Sequence, residues 1–162
     1  MFKTIYELGI IPVVAIDDAD KAVPLAKALR DGGLPAAEIT FRTAAAEESI
    51  RRISEECPDV LVGAGTVLTK EQADRAVAAG AKFIVTPGFN PEMIAYIKSL
   101  GIPMMPGAAT PGEMEQAMSM GLTNIKFFPA EANGGVAFLK NCAGPHKNLK
   151  WMCRGSSDRP CR

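Results

Sequence analysis

The sequence predicts an α/β fold, a (β/α)8 barrel of the TIM type that is incomplete here, with about six to seven βα units. Three observations predict it. A short apolar run, a Gly/Pro/Thr/Asp break and an amphipathic stretch follow one another in the same order along the whole chain. The repeat recurs at about 20–25 residues, which suits a barrel better than a doubly wound sheet. No GxGxxG follows the first apolar run, so a dinucleotide fold gains no support.

The units read in order. "IIPVVAI" leads into "DDADKAVPLAKALRDGG", where Asp17 and Asp18 are candidate caps, Gly32 and Gly33 end the helix, and Pro24 fits only near its first turn. "AAEITF" leads into "RTAAAEESIRRISEEC". "VLVGAG" leads into "TVLTKEQADRAVAAG", in which Thr69 and Gln72 make a capping-box pattern and Gly80 stops the helix. "KFIVT" leads into "PGFNPEMIAYIKSLG", with Pro91 at the first helical position. "IPMMPGA" leads into "ATPGEMEQAMSMG", and "NIKFFPA" into "EANGGVAFLKNCAG". "LKWM" opens a seventh unit. A complete barrel takes eight units and at least about 200 residues, and the chain has 162. The expected organisation is a barrel domain over residues 1–152 and a divergent tail over 153–162.

Composition narrows the functional classes. The chain has 18 basic and 18 acidic residues and zero net charge, so it lacks the basic footprint of a nucleic-acid binder. Its apolar runs are too short to span a membrane, and its first residues lack the basic start and cleavage pattern of a secretory leader. Four cysteines without CxxC spacing and a single histidine, His146, argue against a zinc site or a histidine-based catalytic triad. Reduced thiols and a cytoplasmic location are expected.

The chemistry is sought at strand C-terminal ends, where barrels of this kind carry it. Strand side chains alternate between faces. In "EITFR", Glu38, Thr40 and Arg42 share one face, and Ile39 and Phe41 the other. In "NIKFF", Lys126 shares a face with Asn124 and Phe128, while Ile125 and Phe127 point the opposite way. Each set has a bland alternative. The polar trio could be the solvated face of an ordinary strand, and Lys126 could be a strand-end lysine reaching water. The glycines at 63, 65, 107, 134 and 135 read as close-packed turns. If the barrel brings them together, the chemistry is specific. A neutral lysine amine attacks a ketone to form a Schiff base, and desolvation and a nearby Arg42 would both favour the neutral form. An arginine matches a carboxylate, and a glutamate moves protons. The implied substrate is an α-keto acid.

At these residues the chain resembles the 2-keto-3-deoxy-6-phosphogluconate (KDPG) and 4-hydroxy-2-oxoglutarate (KHG) aldolases. "GGLPAAEITFR" is similar to the glutamate-bearing signature and "GLTNIKFFPA" to the Schiff-base lysine signature. "VGAGTVL", "FIVTPGFNP" and "IPMMPGAATPGE" also fit, so residues 1 to 152 are covered. The resemblance implies a class I aldolase on a TIM barrel that releases pyruvate without a metal or cofactor. It implies Lys126 as the Schiff-base lysine, Glu38 as general acid/base, Arg42 and Thr66 on the pyruvate carboxylate, and Pro87 and Phe128 as the apolar wall. It also implies a small-molecule keto-acid partner, a homotrimer, and a place in the Entner–Doudoroff pathway. After "LKWM" the family's Pro-Thr-Gly-Gly phosphate loop is replaced by "CRGSSDRPCR", where only Gly155 matches a loop glycine. A truncated or altered C-terminus is expected to weaken the phosphate site. Two alternatives follow: a non-catalytic fragment that keeps a keto-acid pocket, and an aldolase for the 6-phosphogalactonate isomer.

Overall fold

The computed structural model describes residues 1–155. Helices and strands alternate in the expected order. A first helix, α1 (Phe2–Leu8), precedes β1 (Val13–Val14), and then come a 3-10 turn (Ala19–Lys21) and α2 (Ala22–Asp31). They are followed by β2 (Ala36–Thr40), α3 (Ala46–Glu56), β3 (Leu61–Gly65), α4 (Lys70–Ala78), β4 (Ile84–Val85), α5 (Pro91–Ser99) and β5 (Met104–Met105). The chain continues through β6 (Gly107–Ala108), α6 (Pro111–Ser119), β7 (Asn124–Phe127), α7 (Gly135–Ala143) and β8 (Lys150–Cys153).

The strands form a five-stranded sheet in the order β1-β2-β3-β4-β5 and a three-stranded sheet in the order β6-β7-β8. Adjacent strands pair in parallel from β1 to β4 and from β6 to β8. The sequence unit "IPMMPGA" is divided at Pro106, which has no N–H to give to a ladder. The described residues fall into two compact units. The first comprises residues 1–85 and 92–104, and the second comprises 86–91 and the chain from Met105 onward.

In the first unit, β2 is buried along its whole length. Ile39 of β2, Val62 and Ala64 of β3, and Ile50 and Ile53 of α3 are inaccessible to solvent. Helix α3 packs against both strands, so these residues close the space between sheet and helix. On the outside of this unit Arg52 joins Glu48 on its own helix to Asp20 on the 3-10 turn, and Arg75 of α4 joins Glu47. In the second unit, Ile125 and Phe127 of β7 pack with Met114 and Ala117 of α6 and with Phe138 and Cys142 of α7. The Phe127 and Phe138 rings stack with centroids 5.3 Å apart.

The helix signals hold with shifts that have clear causes. Asp18 caps the 3-10 turn, accepting from the Asp20 N–H at 3.0 Å, so α2 proper begins later and Pro24 lies in its first turn. Thr69 accepts from the Gln72 N–H at 3.1 Å, but the Gln72 side chain turns to the Leu68 N–H instead of closing the box. The complete capping box is at α6, where Thr110 and Glu113 serve each other's backbone. Helix α1 has no counterpart in the pattern read from the sequence. None of its residues is buried, so it leaves no clean amphipathic stripe to read.

Candidate active site

In the first unit, the register of β2 on β3 sets Glu38 beside Gly63 and Thr40 beside Gly65. Paired residues in a parallel ladder project to the same side, so Glu38, Thr40, Gly63 and Gly65 share one face of the sheet. Glu38 and Thr40 are both at 0% exposure, which removes the solvated-strand alternative for them. The Thr40 hydroxyl donates to the Val14 carbonyl at 3.0 Å and so ties β2 to β1. The two glycines lie beneath large neighbours. A Cβ on Gly63 would stand 2.3 Å from the Phe83 ring, and one on Gly65 would stand 2.1 Å from a Glu38 carboxylate oxygen.

The strand itself ends at this point. Strand β2 ends at Thr40, and Arg42 lies in the following turn with its side chain exposed. Phe41 does lie on the helix side, with the Arg75 guanidinium 5.7 Å from its ring. The Phe41 N–H donates to the Gly65 carbonyl at 2.8 Å, so Arg42 and Thr66 each follow directly on one end of that hydrogen bond. Thr66 is half-buried with φ 56°. A β-branched residue in the left-handed region is rare and marks a constrained turn.

In the second unit, Lys126 is 4% exposed, so it does not snorkel to water. Its register partner on β6 is Gly107, and its N–H donates to the Pro106 carbonyl at 2.8 Å. A Cβ on Gly107 would meet the Pro87 carbonyl oxygen at 2.1 Å, so this glycine lets Pro87 come close to the strand that borders Lys126. The Lys126 ammonium nitrogen sits 5.3 Å from the centroid of the Phe128 ring. Pro87, Gly107, Lys126 and Phe128 thus form one constellation within this unit. Ile125 and Phe127 point the other way into the helices, as alternation requires.

Gly155 has φ 89°, and a Cβ on it would stand 3.6 Å from the backbone of Pro129 and Ala130. The Ala130 N–H donates to the Arg154 carbonyl at 2.8 Å, so the chain just after β8 is held against the loop that leads into α7. The rest of the sequence-defined tail, with Cys161, lies outside the described residues. Among the described residues no three His, Cys, Asp or Glu side chains gather as a metal-holding group. No described helix is long and apolar enough to cross a membrane.

The KDPG and KHG aldolase family model matches residues 2–158. The chain belongs to that aldolase family. A 2-dehydro-3-deoxy-phosphogluconate aldolase of Treponema pallidum is 46% identical over 155 residues, covering 96% of this chain and 74% of the relative. The crystal structure of the KDPG aldolase of Zymomonas mobilis ZM4 with 3-phosphoglycerate superposes with a TM-score of 0.89 at 34% identity, over 98% of this chain and 77% of that one. The Legionella pneumophila KDPG aldolase, with pyruvate captured as a covalent carbinolamine, is 39% identical with a TM-score of 0.87, over 90% and 71% of the two chains. The fold is accordingly the TIM-barrel-type α/β fold of the KDPG aldolases.

Alternation set Glu38 and Lys126 on the strand faces opposite Ile39 and Ile125, and both are buried there. It did not reveal that Gly65 and Gly107 act as close approaches within strands instead of turns. The available signal was their position: Gly63 and Gly65 recur two residues apart in an apolar run, on one face of a strand.

Proposed function

We propose that the chain is a class I aldolase that splits KDPG into pyruvate and glyceraldehyde 3-phosphate, with Lys126 as the Schiff-base residue. The observation that carries this reading is a lysine at 4% exposure in the four-residue strand Asn124–Phe127, bordered by a glycine and an aromatic ring. A buried ammonium is costly, and desolvation favours the neutral amine that attacks a ketone. The amine adds to the C2 carbonyl, water leaves, and the iminium draws the electron pair of the breaking C3–C4 bond. The C4 hydroxyl gives up its proton as the aldehyde departs, and the resulting enamine takes a proton at C3. Hydrolysis then frees pyruvate and restores Lys126.

Glu38 serves as the general acid/base of these transfers, a role that fits a fully buried carboxyl on an inward strand face. Arg42 and Thr66 hold the pyruvate carboxylate. Both stand just past strand ends, where barrels of this type gather their chemistry. Pro87 and Phe128 wall the apolar side of the enamine. Gly155 contributes a backbone contact to the substrate phosphate. The same constellation suits KHG, which yields pyruvate and glyoxylate, and the family description covers both substrates. The chain works in the cytoplasm as a homotrimer on a step of the Entner–Doudoroff route.

Pyruvate release from purified protein, measured separately with KDPG and KHG, tests the proposal. Turnover of KDPG is the expected result. Turnover of KHG alone would move the assignment to the unphosphorylated substrate. Release from neither would leave a keto-acid-binding chain without catalysis.

A further inference from the structure

We propose that Gly65 is a positioning residue for Glu38, and that its missing side chain fixes where the proton-transferring carboxyl stands. The inference rests on the assignment of Glu38 as general acid/base. Strand β3 offers two glycines to the face that carries Glu38. Their space is used differently. The Phe83 ring occupies the room over Gly63, whereas the room over Gly65 is filled by the Glu38 side chain itself. A Cβ at Gly65 would meet Glu38 Oε1 at 2.1 Å, Cγ at 2.6 Å and Cδ at 2.7 Å. None of these separations is tolerable for non-bonded atoms, so an alanine there displaces the carboxyl.

The need for glycine is one of room and not of backbone conformation. Gly65 is not among the glycines with positive φ, so alanine suits its φ. Both backbones are fixed. The Glu38 N–H donates to the Pro12 carbonyl at 2.8 Å, and Gly65 accepts from the Phe41 N–H at 2.8 Å. The strands cannot slide apart without breaking the ladder, and the Glu38 side chain is the flexible partner. A methyl at residue 65 therefore rotates Glu38 away from its working position and leaves the strand pairing in place. Misplacement of a catalytic group by about 1 Å costs on the order of 100-fold in rate.

A double-mutant cycle tests the proposal. Cleavage rate and solvent deuterium exchange into the methyl group of pyruvate are measured for wild type, G65A, E38Q and G65A/E38Q, with far-UV circular dichroism as the check on folding. E38Q alone should lose about 100- to 10,000-fold, the usual worth of a positioned acid/base. G65A should lose about 100-fold in cleavage and exchange in the wild-type background, and less than about twofold in the E38Q background, where no working carboxyl remains to displace. An equal loss in both backgrounds, or wild-type activity in G65A, would overturn the proposal. A fully active E38Q would instead sink the acid/base assignment itself, which keeps the two failures distinct. Should G65A fail to fold, E38A/G65A removes all three overlapping atoms. It must melt near the E38A parent, and a double variant that stays unfolded also overturns the proposal.

Discussion

Glu38 and Lys126 are both ionisable residues inside apolar strands, yet the two units hold them in different ways. Around Glu38 the backbone does the holding. Two glycines clear the face of β3, and the carboxyl fills the space over Gly65. Around Lys126 side chains do the holding, with the Phe128 ring 5.3 Å from its nitrogen and the Phe127–Phe138 stack filling the opposite face of the strand. The contrast suits the proposed chemistry. An acid/base that serves several proton transfers needs a fixed position. A nucleophile that is consumed and regenerated needs a desolvated environment that disfavours its charge. The acid is accordingly sensitive to added volume beside it, and the lysine to polarity and packing beside it.

The largest expected effect is on the lysine. Lys126→Met keeps the stem and removes the nucleophile. Cleavage should fall below detection in a coupled pyruvate assay while far-UV circular dichroism stays as in wild type. Next is the packing behind it. Phe127→Ala removes one ring of the stack and should destabilise the chain by roughly 3–5 kcal/mol in urea unfolding, the usual cost for a buried aromatic. A loss below about 1 kcal/mol would show that β7 is not held from its helix side.

The helix caps sharpen the comparison on a smaller scale. Thr110 takes part in the reciprocal box with Glu113, whose carboxylate also accepts from the Ala109 N–H at 2.8 Å. Thr110→Ala should cost about 1 kcal/mol and Thr69→Ala about the same or less, since the Thr69 cap lacks the returning bond. The smallest effect lies on the outer surface of the first unit. Arg52, followed by Arg51, holds the Glu48 carboxyl below its ordinary value by hydrogen bonding. A depressed folded-state value means the contribution is present above the unfolded carboxylate value near ~4.3 and is lost as pH falls through the folded value. The melting temperature of E48Q should therefore lie slightly below wild type at neutral pH and converge with it in acid. Added salt should narrow the neutral-pH gap, because these side chains are partly open to solvent.

Strand periodicity alone made much of this legible in the sequence. Alternation put Ile125 and Phe127 against the helices and Lys126 on the other face, and it did the same for Ile39 and Glu38. Alternation across the end of β7 did predict the side taken by Phe128. Local signals found Pro91 at the start of α5 and the Thr69 cap, yet passed over the Thr110 box, whose threonine precedes a proline and a glycine. The positive φ of Thr66 had no local cue, since threonine ordinarily avoids that region. The close approaches at Gly65 and Gly107 depend on which residues neighbouring strands place opposite them, and a single strand's pattern does not contain that.

The proposed chemistry depends above all on Lys126 as the nucleophile. The protein should be incubated with pyruvate, reduced with borohydride, digested and mapped by mass spectrometry. A single reduced pyruvate adduct is expected, on the peptide that contains Lys126, and none in Lys126→Met. An adduct on another lysine, or no adduct at saturating pyruvate, would contradict it.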